Sequence, residues 1–383
     1  MNNSPSKRTW NRFKKNKPAL GGIVVIAIMV VMGILGYLIM PDQTPMANDM
    51  LLQISTKKPG STFTILNVEN SQRVEQRNFF ERMIYGQPTS YREIPVSSYR
   101  FSGNSILIRE YIGDEEKAEE RAIPFNQIVS ADVSARLNND QQQIQNFISE
   151  KRIVKKTFWL GTDIYGRDLL SRLILGIRVS LSVGIMAVII SLFIGITLGA
   201  LAGFYGGKVD VFISWLMNVL WSLPALLLVI AISFALGKGF WQVFIAVGLS
   251  MWVEVARLVR GQIMALKQVE YVEAARALGF SDRRTIVKHI LPNIAGPILV
   301  VASSNFASAI LLEAGLSFLG FGAQPPMPTW GGMIKEHYGY IIIDAAYLAI
   351  LPGIAIMLMV YAFNLVAIGL QDAFDVKSQV SNV

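Results

Sequence analysis

Tyr271-Val-Glu-Ala-Ala-Arg-Ala-Leu-Gly279, running on through Phe280 to Ile290-Leu291-Pro292, is the stretch whose reading decides the rest of the chain. It is polar and basic, and it lies between two long apolar runs. Glu273, Ala274, Ala275 and Arg276 open a short helix whose small residues let another surface approach closely. Gly279 supplies a backbone geometry that ends that helix. Pro292, after Leu291, suits the first turn of the helix that follows. Two readings stand. The segment is an ordinary amphipathic helix-turn-helix in a loop, or it is a docking device by which a soluble motor grips a membrane protein.

Working outward, the composition favours a membrane protein. Of 383 residues, 52% are apolar and 16% charged, with a mean hydropathy of +0.42; soluble domains carry roughly 25% charge. A crossing needs about 20 mostly apolar residues. Residues 19–40 form the first candidate, behind Lys7, Arg8, Arg12, Lys14, Lys15 and Lys17. That run is too long for the apolar core of a secretory signal, and no small-x-small cleavage site follows, so it reads as an uncleaved anchor. Further runs near 179–205, 209–235, 240–259, 294–320 and 345–370 bring the expected spans to six, some interrupted by Pro224 or Pro352.

Lys and Arg set the orientation. The basic tail, residues 1–18, belongs in the cytoplasm. Six crossings return the C-terminus to the same side and place the fourth connection there too. That connection carries Arg257, Arg260, Lys267, Arg276, Arg283, Arg284 and Lys288, an independent charge cluster in agreement. Arg167, Arg172 and Arg178, ahead of the second span on the expected outer side, disagree. A long preceding segment translocates largely regardless of charge, which weakens the objection. The net charge of +8 is therefore read as membrane orientation and not as nucleic-acid binding. The absence of cysteine excludes disulfides and thiolate chemistry. His289 and His337 have no metal-ligand partner at helical spacing, so no metal is expected.

Residues 41–157 are polar and too long for a plain connection. Ser61 to Val68 alternates like a strand, and Tyr99 to Tyr111, broken at Ser102-Gly-Asn-Ser105, reads as a hairpin. Asp132 to Lys156 has apolar residues at helical spacing. A small α+β domain outside the membrane is expected.

Other constellations keep two readings each. Leu160-Gly161-Thr162-Asp163-Ile-Tyr-Gly166-Arg167-Asp168 is a glycine-turned charged stretch feeding a helix, with Asp163 and Arg167 close enough to pair. Gly195, Gly199 and Gly203 form a ladder for close helix packing, inside the bundle or between subunits. Glu313, an intramembrane carboxylate, is a candidate for structure or gating ahead of substrate binding. Glu254 and Arg257 have the spacing of an i,i+3 pair. Pro325-Pro326-Met-Pro-Thr-Trp330-Gly331-Gly332 bars a regular helix, and Trp330 suits an interface. The segment either receives a soluble protein or stiffens a loop. No phosphate-binding Gly-x4-Gly-Lys-Ser/Thr loop and no nucleophile elbow occur, so any ATP hydrolysis belongs to another chain.

The Glu273 to Pro292 spacing resembles the EAA loop of ABC-importer permeases, with His289 where the pattern has Ile. The Leu160 to Asp168 block resembles the signature of the C-type subunit of dipeptide and oligopeptide permeases, as does the Pro-Trp-Gly segment. The likeness covers residues 10–40 loosely and 158–375 well. It implies an all-α polytopic membrane protein with the type I ABC-importer permease fold. It implies a core over 158–383 whose EAA loop, 260–292, couples to ATPases. The chain would be a non-catalytic inner-membrane subunit of a prokaryotic peptide importer. Its partners would be a second homologous permease, two ATPases that bind ATP and Mg, an extracytoplasmic peptide-binding protein and the bilayer.

Two departures stand out. The insert is longer than is usual, and Asn364 to Asp372 carries Ile368 and Gln371 where acidic and Arg positions are usual. Two rival classes remain. A membrane-anchored sensor would not need the Glu-Ala-Ala segment. An ion-driven secondary transporter would need more buried ionisable residues than Glu313.

Overall fold

A computed structural model describes residues 5–70, 74, 76–113, 118–237 and 239–374. The first four residues of the basic tail and residues 375–383 of the expected core lie outside the described residues. In chain order the elements begin with α1 (Pro5–Phe13), α2 (Lys17–Ile39), β1 (Ser61–Glu69), α3 (Phe79–Tyr85), β2 (Tyr91–Ser102), β3 (Ser105–Glu110) and β4 (Glu120–Pro124). Next come α4 (Phe125–Ile128), α5 (Ala131–Arg136), α6 (Gln141–Phe147), β5 (Ile153–Phe158), α7 (Leu169–Tyr205), α8 (Gly207–Trp221) and α9 (Ala225–Leu236). The series closes with α10 (Phe240–Leu266), α11 (Glu270–Ala277), α12 (Asp282–Arg284), α13 (Ala295–Leu319), α14 (Trp330–His337) and α15 (Tyr347–Phe374). Two compact units result. One comprises Met1–Val31, Ile177–Glu336 and Ala349–Val383, the other Met32–Gly176 and His337–Leu348.

The first unit is helical. Among the described residues five stretches are long and apolar enough to cross a membrane: Lys17–Ile39, Leu169–Tyr205, Phe240–Leu266, Asp282–Leu319 and Tyr347–Phe374. The run expected as one span at 209–235 is instead α8 and α9, bent by 97°. Pro224 causes the break: it has no N–H to continue α8, and its ψ of 128° is extended just before α9. Twelve residues of α9 reach only about 18 Å, short of the ~30 Å hydrocarbon core. A sixth crossing exists only if the bent pair makes one crossing together.

α10 is the central helix, 61% buried over its apolar window where α2 is only 22% buried. The glycine ladder explains how α7 reaches it. A Cβ on Gly195 would lie 2.5 Å from Val255, one on Gly199 2.9 Å from Val259, and one on Gly203 3.0 Å from Ile263. The ladder therefore packs α7 on α10 inside this chain. At one end of the unit the start of α2 meets the end of α15. Asn16 donates to Asp372 at 3.0 Å, and a Cβ on Gly22 would stand 2.6 Å from the Ala362 carbonyl. The entry of the first long helix and the exit of the last thus lie on the same side.

The second unit contains an antiparallel sheet of order β4-β3-β2-β1-β5. Alternation along β1 buries both faces. Leu66 joins Ile94, Ile106, Ile108 and the residues of α4 and α6, while Ile65 packs with Leu51, Ile54 and Phe158. A two-residue turn, with Gly103 at φ +55°, closes the β2–β3 hairpin. The helical pattern expected over 132–156 breaks up. After α6 a wider turn, Ile148–Arg152, leads into β5, where the β-branched pair Ile153-Val154 aligns opposite Leu66 and Ile65.

Candidate functional site

α11 carries the Glu-Ala-Ala segment, and its ends explain its composition. Gly279 sits at φ +77°. Its N–H donates to the Arg276 carbonyl at 2.9 Å and the Phe280 N–H to that of Ala275 at 3.1 Å. These two bonds form a Schellman cap, which needs a left-handed residue at Gly279. A Cβ there would meet nothing within 4 Å, so the demand is on φ alone.

Val272 and Ala275 face inward, and Val272 joins Ile263, Ile290 and Phe204 in one apolar cluster. Glu273, Ala274, Arg276, Ala277 and Gly279 are exposed, and Leu278 is 74% exposed. The outer surface is thus two small residues and a leucine, fringed by charge. Lys267 and Arg276 hold the helix to the end of α7: both cations stand over the Phe204 ring, at 5.7 and 4.6 Å, and Lys267 donates to the Phe204 carbonyl at 2.6 Å.

After Gly279 the chain does not resume as one α-helix. Thr285–Ile290 winds wider and Leu291–Ile294 tighter before α13 begins. Pro292 removes a donor and crowds the preceding turn, which accounts for the irregular ladder. Leu291 is half-buried against the same cluster as Val272, and Pro292 is exposed. His289 stacks on Phe280 at 5.5 Å, and Arg284 covers the ring at 3.9 Å. Pro292 also lines a groove of about 970 Å³ with Trp10, Phe13, Gly296, Leu370 and Phe374.

The Leu160 to Asp168 block is a different kind of object. Gly161, Thr162, Asp163, Gly166, Arg167 and Asp168 are all buried. One oxygen of Asp163 accepts from the Tyr165 and Arg167 N–H groups at 2.8 and 3.0 Å. Its other oxygen pairs with Arg167 Nε at 2.6 Å and lies 3.6 Å from Arg172 Nε. Arg167 also donates to Asn48 Oδ1 at 3.2 Å. Thr162 donates to the Ile54 carbonyl and accepts from the Lys57 N–H at 2.9 Å. Gly161 and Gly166, at φ +80° and +72°, lie against the backbones of Lys57 and Leu51, where a Cβ has no room. Asp168 caps α7 through Ser171, which accepts in turn from the Asp42 N–H at 2.9 Å. Burial pushes the Asp168 carboxyl above its ordinary range, against the two bonds from Ser171.

The block ties residues 42–57 to the start of α7. Two of the three arginines that argued against the orientation are thereby accounted for. Arg172 and Arg178 lie within α7, and Arg167 and Arg172 are buried beside Asp163.

The remaining candidates fall in the helical unit. Glu313 is 1% exposed and accepts from Ser317 at 2.7 Å, while its other oxygen is buried without a hydrogen-bond partner. Trp330 is 1% exposed, contrary to its expected place at an interface. Gly331 is the reason: it brings the start of α14 so close to Ala314 of α13 that a Cβ would fall 2.7 Å from its Cα. Pro326 is exposed. The expected Glu254–Arg257 pair does not form. Arg257 turns to α8, lying 3.6 Å above the Trp221 ring and donating to Asn218 at 3.3 Å, while Glu254 stays exposed. Sequence reasoning missed the ion pair beside it, in which Arg260 grips both Asp210 oxygens at 2.5 and 2.7 Å. An acid at the head of α8 was the available signal. Among the described residues no group of three His, Cys, Asp or Glu is placed to hold a metal.

Residues 195–379 match the family described as binding-protein-dependent transport system inner membrane component. Residues 4–56 match the N-terminal TM domain of oligopeptide transport permease C. Neither match reaches 57–194, where the whole sheet lies. The chain is 45% identical over 219 residues to the glutathione transport system permease protein GsiD of Pectobacterium atrosepticum, covering 57% of this chain and 72% of the relative. It is 42% identical over 219 residues to the dipeptide transport system permease protein DppC of Alkalihalophilus pseudofirmus, with the same coverage. To the oligopeptide transport system permease protein OppC of Haemophilus influenzae it is 39% identical over 234 residues, covering 61% of this chain and 75% of that one. An inward-facing crystal form of the MetNI methionine ABC transporter superposes at a TM-score of 0.41 with 21% identity, over 53% of this chain and 96% of that chain.

Proposed function

Because the chain belongs to the binding-protein-dependent transport system inner membrane components, among the dipeptide and oligopeptide permeases of ABC importers, we propose that it forms half of a translocation path for peptides. Small peptides, glutathione included, are the substrate class. The other half is a second, homologous permease. Two ATPase subunits hold ATP and Mg, and a soluble binding protein delivers substrate from the far side. The helical unit has the type I importer arrangement, with six crossings. The meeting of α2 and α15 supports an even number of crossings, which counts the bent pair α8–α9 as one. The basic tail and the α11 segment face the cytoplasm, as the distribution of Lys and Arg supports. The sheet lies on the other side.

The observation that carries this reading is α11: a rigidly capped helix whose outer face is Ala274, Ala277 and Leu278 and whose inner face is locked to α7, α10 and the start of α13. Movement of a gripped α11 would pass through Val272 and the Phe204 clamp into those helices. The bundle would swing between outward- and inward-facing states while this chain makes and breaks no bond. Glu313 and Ser317 hold α13 internally and act in gating. The Leu160 to Asp168 block is structural and anchors residues 42–57 to the start of α7.

A single cysteine at Ala274, in a chain that has none, tests the coupling. Labelled with a short maleimide–benzophenone and irradiated, it should crosslink to an ATPase subunit in membranes without needing a thiol on that subunit, and ATP with vanadate should change the yield. A yield equal to that of Cys at exposed Asn104, with no ATPase captured, would sink the assignment.

A further inference from the structure

We propose that α3, in the second unit, is an interfacial anchor that lays its aromatic face into the lipid leaflet where the first long helix ends. The helix is well built yet leaves its apolar side chains uncovered. Asn78 and Glu81 form a reciprocal capping box, at 2.8 and 3.2 Å. Gly86, at φ +72°, closes its other end with an N–H donated to the Arg82 carbonyl at 3.0 Å. Arg77 donates to the Tyr85 and Gly86 carbonyls, each at 2.9 Å. Despite these caps no side chain of the helix is buried. Phe79, Phe80, Ile84 and Tyr85 are 62, 70, 53 and 61% exposed, and the exposed Arg82 donates to the Gln43 side chain. Four large apolar side chains held out on a well-capped helix, none of them buried, are not what a water-facing helix shows.

Position supplies the occupant. Gly86 sits against Tyr37, in the last turn of α2: a Cβ would fall 2.7 Å from the Tyr37 ring and 2.6 Å from the Gln43 carbonyl. The Gln87 N–H donates to the same carbonyl at 2.8 Å. The C-terminal end of α3 is therefore level with the end of an apolar helix of 23 residues, whose own Ile34 and Ile39 are 54 and 51% exposed. That depth is the water–hydrocarbon boundary, where aromatic side chains are favoured and short amphipathic helices lie in the plane. The aromatic face of α3 continues the lipid-facing surface of α2, which holds the sheet down on the membrane.

The test uses the full chain in its complex, reconstituted in phosphatidylethanolamine–phosphatidylglycerol vesicles. Single cysteines at Phe80, at Ile34 in the span and at Asn104 in the hairpin turn carry an environment-sensitive nitrobenzoxadiazole label. Lipid bearing a nitroxide near its headgroup should quench the Phe80 label several-fold more than the Asn104 label, and iodide should quench it several-fold less. Equal iodide quenching at Phe80 and Asn104 would put the face in water and overturn the proposal. Protection from both quenchers would mean that another protein surface covers it, which overturns it equally. The Ile34 label must respond to nitroxide lipid in any case, so loss of the membrane reading itself is told apart.

Discussion

The Glu273 to Gly279 segment and the Leu160 to Asp168 block are both short signatures built on glycine and charge, yet they are built in opposite ways. In α11 Glu273, Ala274 and Arg276 stand in solvent, Ala275 packs inward, and the backbone ends the helix through the Gly279 cap. In the block Thr162, Asp163, Arg167 and Asp168 are all buried and bonded to groups of their own chain. A motif meant for a partner keeps its face free; a motif meant for the chain itself consumes it. Gly279 meets open space and Gly166 meets Leu51, so the same residue type answers different demands.

That contrast breaks first at Asp163. Asp163→Ala leaves Arg167 and Arg172 buried without their carboxylate, and unfolding in detergent should show a loss of about 3–5 kcal/mol. A loss within ordinary surface scatter would mean that the block is not the anchor described. Gly166→Ala adds a Cβ to a left-handed residue pressed on the Leu51 backbone, and should lose about 3 kcal/mol in the same assay.

Asp49 sharpens the picture through pH. Burial, then Glu93, pushes its carboxyl up to about 6, against the pull of Lys156. The native state therefore favours the protonated form. The stability this lends is whole below about pH 4 and is lost as pH climbs through about 6. Asp49→Asn keeps a neutral group, so it should unfold later than the parent above about pH 7, by roughly 1–2 kcal/mol. Below about pH 4 the two should match. Burial pulls the Lys156 ammonium down, but Glu93 at 2.7 Å and Asp49 at 3.9 Å raise it above its ordinary value, so it stays charged throughout.

On the other side of the contrast the stability effects shrink and the functional ones grow. Gly279→Ala strains φ alone and should reduce stability by about 1–2 kcal/mol. Ala274→Trp should move unfolding by less than about 0.5 kcal/mol, because the site is exposed. The same change should abolish capture of ATPase subunits on a tagged chain. Normal capture would break the assignment of that face to a partner.

Much of this was legible beforehand where periodicity and spacing are local. The long apolar runs, the β1 strand and the hairpin turn at Gly103 follow from patterns within a dozen residues. Where a partner distant in sequence decides, legibility ended. Nothing local says that Arg257 prefers Trp221 to Glu254, that Arg260 meets Asp210, or that Thr162 bonds across to Ile54 and Lys57. Val154 looked helical because its neighbours do; pairing with β1 overrode that. Pro224 was visible as an interruption, but the bend of 97° depends on α8 and α9 each packing on α10. For the candidate site, the Glu-Ala-Ala spacing exposed the segment, and only the fold shows which of its residues face outward.

The measurement that bears most directly on the central claim is affinity purification of the tagged full chain from native membranes in mild detergent, with every co-purifying chain identified by mass spectrometry. The account predicts a second permease and ATPase subunits carrying phosphate-binding loops. A homo-oligomer without any ATPase, reproducible across detergents, would contradict it.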